Sequence, residues 1–208
     1  MNISQFIGLL ISFSLLMIAV SVHEFFHAWA AYKLGDMTAK YLGRFTLNPL
    51  AHLDPVGTLI MPLLLFISTG GRFLFGYAKP VPINFNALRN PHRDIIWVGL
   101  AGPLSNLVFA VILSVFLKFI ALNSILYLIL TQLLIINVAL AVFNLIPLPP
   151  LDGSRVLMGL LPRNLAAQYA LLEPFGFIIV LFLFFAGAFH NIIQPIIELI
   201  LNLLGVTY

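Results

Sequence analysis

The sequence predicts an all-α polytopic membrane protein, with about five to six transmembrane helices and a re-entrant or extended segment between the first and the next full span. Three observations carry that class. Of 208 residues, 62% are hydrophobic, against about half in ordinary soluble domains. Only 8% are charged, where about a quarter is usual and where a soluble surface of this size needs far more polar cover. The apolar residues also fall into long blocks separated by charge and turn signals. Together these exclude an ordinary cytosolic enzyme, a disordered chain and a nucleic-acid binder. The length fits one domain, residues 1–208, of about four to six spans of about 20 residues, with no additional soluble domain. The absence of cysteine removes disulfides and Cys-bound metal.

The first block, Phe6 to Leu34, is interrupted by His23, Glu24 and His27 and stops at Gly35-Asp36. It lacks the basic start of a signal peptide and runs straight through the polar cluster, so it is expected to be retained. The second, Val56 to Ser68, contains Pro62 and has thirteen residues. As helix these reach about 20 Å, short of a hydrocarbon core of about 30 Å. The third runs from Ile95 to Ile120, the fourth from Ser124 to Ile146, and the fifth from Leu171 to Phe189, with Glu173-Pro174 at its start. An apolar tail, Asn191 to Leu204, carries Pro195 and Glu198. It either lies in the interface or closes back into the membrane.

Charge orients these blocks. Lys33, Lys40 and Arg44 follow the first; Arg72, Lys79, Arg89 and Arg93 precede the third; Arg155 and Arg163 follow the fourth, leaving Lys118 apart. With those connections in the cytoplasm, nine of ten basic residues obey the positive-inside rule. The N-terminus of this multi-pass cell-membrane protein is then outside. Residues 35–55 and 70–94 fall on the same side, so residues 56–69 must enter the membrane and return, or pair with a segment such as Phe73 to Ile83. Irregular backbone at that depth is tolerated only where protein buries it or where it lines a wet cavity.

His23-Glu24-Phe25-Phe26-His27 has the pattern H-E-x-x-H. On a helix, residues four apart share a face, so both imidazoles can reach one ion with Glu24 beside them. Zinc accepts imidazole and carboxylate, and its catalytic sites use three protein ligands plus water. A neighbouring glutamate can take a proton from that water and deliver it to a leaving amine. Charged groups cost on the order of 2.5–3.5 kcal/mol at the bilayer centre, so they are functional by default there. The plainer alternative is a histidine pair bonded between helices with Glu24 as counter-ion. Asp152 is the best third ligand, in the Pro-rich stretch Asn144 to Gly153, where Gly153 permits close backbone approach. Alone, it would instead cap a helix starting near Ser154 or pair with Arg155.

These residues resemble the site-2 protease family of intramembrane zinc metalloproteases (peptidase family M50), in its minimal form without PDZ or CBS domains. That family pairs H-E-x-x-H in one membrane helix with an N-x-x-P-x-x-x-L-D-G type motif in a later one, matched here by His23-Glu24-His27 and Asn144 through Gly153. Similar stretches are Gly43 to Pro55, Gly76 to Pro82 and Ala101 to Asn106, in the same order over roughly residues 15 to 185. The resemblance implies one Zn2+ per chain on His23, His27 and Asp152, with Glu24 as catalytic base. It also implies hydrolysis of peptide bonds within or near transmembrane segments of single-span membrane-protein substrates, in a lipid bilayer, through a site opening toward the cytoplasm. For Asn144 it implies a hold on substrate backbone or a developing oxyanion; the plainer role is a hydrogen bond between helices.

Other polar residues have structural readings. His52 and Asp54 lie between Pro49 and Pro55 and are expected to cap or turn rather than bind a second metal. Gly102-Pro103 with Ser105 and Asn106 reads as a kinked, closely packed span. Two other functions use the same residues: a metal-ion transporter and a metal-bound, inactive scaffold. A transporter calls for polar residues spread along several spans, whereas here they gather at one depth.

Overall fold

The computed structural model describes residues 3–61, 64, 78–187 and 189–206. The described residues are helical, with no strand among them. The α-helices are α1 (Ile3–Lys33), α2 (Thr38–Tyr41), α3 (Pro91–Leu117), α4 (Ile125–Asn144), α5 (Asp152–Leu160), α6 (Arg163–Ala170), α7 (Gly176–Phe185) and α8 (Gln194–Leu203). Among the described residues, four segments are long and apolar enough to cross a membrane: α1, α3, α4 and Arg163–Phe185. The last begins eight residues before the predicted block, because Arg163, Asn164 and Gln168 make α6 polar enough to hide it from hydropathy. Glu173–Phe175 then forms a 3-10 turn from which α7 starts.

In lipid, no hydrophobic force pulls one helix onto another, so packing rests on small residues and interhelical hydrogen bonds. Ala19, Ala110 and Ala141 are wholly buried, which lets α1, α3 and α4 approach closely. Gln132 of α4 donates to the Ser12 hydroxyl of α1 at 2.6 Å, a bond of the kind that contributes about 0.6 kcal/mol on average in membranes. The main core joins Leu15 and Ala19 of α1, Leu113 and Leu117 of α3, and Leu133, Leu134 and Val138 of α4 to Ile197 and Leu201 of α8. The tail therefore closes back on the bundle through an i, i+4 pair. Beside that pair runs a polar ladder from His190 through Gln194 to Glu198. Phe182 and Phe185 of α7 are exposed.

The connection between α1 and α3 leaves and returns at one level. The Arg89 N–H donates to the Leu34 carbonyl at 3.0 Å. Asp36, buried just beyond α1, accepts from Thr38 N–H at 2.9 Å and from Asn84 N–H at 2.8 Å. The re-entrant segment predicted over 56–69 is described to residue 61 and at residue 64. It opens as a π-helical turn, Pro55–Ile60, capped by Asp54, whose carboxylate accepts from Val56 N–H at 3.0 Å and Gly57 N–H at 2.7 Å. The rest of it, and residues 73–77 of the returning segment Phe73 to Ile83, lie outside the described residues.

Candidate metal centre

α1 carries His23 and His27 on the face turned toward α3 and α5, with both side chains buried. Helical spacing sets the rings edge to face, 4.6 Å between centroids. The chain leaves α4 at Asn144, turns through the prolines and re-enters helix at Asp152, the first residue of α5. Gly153 makes that turn possible: a Cβ there would run into the carbonyls of Leu145 and Ile146. Asp152 thus faces α1. Its Oδ2 lies 2.9 Å from His23 Nε2 and 3.1 Å from His27 Nε2, and the two nitrogens are 3.0 Å apart.

Three donor atoms at this spacing fit a metal ion. Their triangle is a few tenths of an ångström tighter than the roughly 3.3 Å between tetrahedral zinc ligands bonded at about 2.0–2.1 Å. The outer ring nitrogens decide the tautomers. His23 Nδ1–H donates to Asn106 Oδ1 at 2.6 Å, and His27 Nδ1–H donates to the Val98 carbonyl at 2.7 Å. Each Nε2 is then a lone pair directed at the other and at a carboxylate oxygen, an arrangement a cation at the centre relieves. Among the described residues, this is the group of three or more His, Asp or Glu side chains close enough to share an ion.

α3 is shaped around this cluster. A Cβ on Gly102 would collide with the Nε2 atoms of both histidines, so only glycine lets α3 pass here. Asn106, wholly buried one turn on, is a site residue where sequence reasoning assigned packing. Its amide donates to Asn137 Oδ1 at 2.6 Å and to the Ala19 carbonyl at 3.2 Å, which fixes its Oδ1 toward His23. The signal in the sequence is the amide itself, which at membrane depth must find partners. Asn106→Ala is expected to weaken zinc affinity by about 10–100-fold, as loss of a supporting partner does. Chelator competition measures it; an unchanged affinity would show that the His23 ring needs no such support.

The other predicted residues separate cleanly. Glu24, half-buried on α1, is not among the converging donors; its Oε2 accepts from the Val81 N–H at 2.7 Å. Asn144 donates to the Leu140 carbonyl of its own helix at 2.9 Å. His52 bonds the Thr46 carbonyl at 3.0 Å, and neither it nor Asp54 joins the cluster. Arg155 pairs with Glu173 and lies over the Phe85 ring, so Asp152 neither serves as its partner nor caps α5.

A family profile described as Peptidase family M50 matches residues 120–183. A Bacillus subtilis protein named "Putative zinc metalloprotease YwhC" is 37% identical over 192 residues, covering 88% of this chain and 84% of that protein. The chain belongs to peptidase family M50. A second relative, "Putative zinc metalloprotease Rip2" of Mycobacterium tuberculosis, is 30% identical over 92% of this chain and 73% of its own length. "Zinc metalloprotease MJ0392" of Methanocaldococcus jannaschii is 29% identical over 79% of this chain and 38% of its own. No solved structure matches. This M50 protein is a multi-pass membrane zinc metalloprotease, and its cofactor is Zn2+.

Proposed function

We propose that this M50 protein cuts peptide bonds within or near the transmembrane segment of single-span membrane proteins, as in regulated intramembrane proteolysis, with one zinc on His23, His27 and Asp152. The observation that carries the reading is the convergence of two tautomer-fixed imidazoles and a carboxylate inside apolar spans, beside a glutamate outside the donor set. His27 lies six residues before the end of α1, roughly 9 Å in depth. When bound there, zinc supplies a water of lowered pKa and polarises a peptide carbonyl.

Glu24 then takes the proton from the attacking water and returns it to the leaving amine nitrogen. Asn106 and the Val98 carbonyl keep the rings aimed during turnover. A substrate helix must unwind first, because its own N–H groups occupy the carbonyl to be attacked. Asn144 is suited to hold the unwound backbone by rotating its amide out of its bond to Leu140. Reconstituted with zinc and a panel of single-span substrates, the protein should release new peptide termini and conduct no zinc. An uncut panel, with zinc flux that is lost in His23→Ala and His27→Ala, would make it a transporter.

The site is expected to open toward the cytoplasm, since the basic connections surround it. The Leu34–Arg89 bond supports placing residues 35–55 and 70–94 on one side. Single cysteines at Thr38 and Asn86 of this cysteine-free chain should therefore react with an impermeant reagent from the cytoplasmic face alone. Labelling from opposite faces would overturn the shared-side topology.

A further inference from the structure

We propose that Pro80-Val81-Pro82 is a strap whose backbone donor, the Val81 N–H, positions the Glu24 carboxylate for proton transfer. The inference rests on Glu24 as the base. Proline has no N–H, so across residues 80–82 Val81 carries the sole backbone donor, and it is given to Glu24 Oε2 at 2.7 Å. That length is typical of a bond to an ionised carboxylate. Each proline also holds the residue before it extended, so the direction of the donor is set by the chain itself.

The strap is anchored on both sides. The Lys79 N–H donates to the His52 carbonyl at 2.9 Å, and Arg44 donates to the Lys79 carbonyl at 2.7 Å. Beyond it, Asn84 N–H binds buried Asp36. The Val81 side chain is buried against Ala28 and Ala39. Ala28 lies one helical turn after Glu24 on the same face of α1, so the contact that seats the strap also sets its N–H over the carboxylate. One carboxylate oxygen is thereby tied to the scaffold and the other is left for water. A free glutamate side chain on a helix would sample several rotamers instead. Val81 is a positioning residue in this account, and the catalytic group is Glu24.

The test removes the donor alone. Val81 replaced by its hydroxy-acid analogue, which turns the amide into an ester, and Val81→Pro should each lower kcat by about 10²-fold, the scale of a misplaced group near the chemistry. KM and zinc content should hold, and Val81→Ala, which keeps the N–H but gives up part of the seating contact with Ala28, should lose less activity than either donor-less variant. In the wild type with 15N-labelled valine, the Val81 amide proton should resonate downfield and shift upfield in Glu24→Ala, with or without zinc. This reading does not depend on the variants folding. An unmoved resonance overturns the proposal, as does a rise in KM at constant kcat, which would make the strap a substrate-holding edge. Donor-less variants at full rate beside an inactive Glu24→Gln defeat the strap alone; a fully active Glu24→Gln defeats the base assignment beneath it.

Discussion

Glu24→Gln should bind zinc as the wild type does and cleave substrate about 10²–10⁴-fold more slowly, the contribution typical of a general acid–base group. The substitution keeps length and shape, and the new amide oxygen still accepts from the Val81 N–H, so the strap stays seated. Only the capacity to take a proton is lost. Because Glu24 lies outside the group of His23, His27 and Asp152, metal content is not expected to follow activity down. Initial rates and zinc per chain, measured on one preparation, check both halves. Equal rates in the two proteins would reassign the base, and zinc loss in Glu24→Gln would make Glu24 a ligand.

Asp152→Asn carries the second large effect. The site has a single negative ligand, and its oxygen is within 3.1 Å of both imidazole nitrogens. An amide oxygen supplies the shape without the charge. Zinc affinity should therefore fall by more than the roughly 10–100-fold that loss of a supporting partner costs. Insertion should be unaffected, because a neutral amide is cheaper than a carboxylate at membrane depth. Full zinc content in Asp152→Asn together with its loss in His52→Ala would move the third ligand to His52. The His52 imidazole is bonded instead to the Thr46 carbonyl, six residues away in its own loop.

The parts of the fold and site legible in the sequence are those that depend on side-chain type and spacing. An i, i+4 histidine pair in an apolar block fixes both a helix and a shared face. Three of the four candidate spans, α1, α3 and α4, follow from long apolar blocks. Asp152 stands out because a carboxylate beside the end of a membrane helix needs a partner. The basic residues predict a connection that returns to its starting side, an expectation the Leu34–Arg89 bond supports and the cysteine labelling at Thr38 and Asn86 tests.

What stayed hidden is carried by backbone or by context. The Val98 carbonyl and Val81 N–H are groups every residue of their kind possesses, and only the fold selects them. For Val81 a trace existed, since flanking prolines leave a lone donor in a conspicuous place. Asn106 and Asn137 were visible as amides in apolar helices, yet their roles depend on α3 and α4 meeting behind His23. Gly102 reads as a packing residue until the histidines are set against it. The start of the fourth candidate span stayed hidden because Arg163, Asn164 and Gln168 make α6 polar.

The account is tested most directly by the position of the cut. A single-span substrate carrying a water-exposed loop on each side should be incubated with the zinc-loaded protein in bilayers, and the new termini sequenced by mass spectrometry. The expected result is one or a few termini within or at the edge of the apolar span, absent from Glu24→Gln and from chelated protein. Termini confined to the exposed loops, or cleavage that persists after zinc is removed, would contradict it.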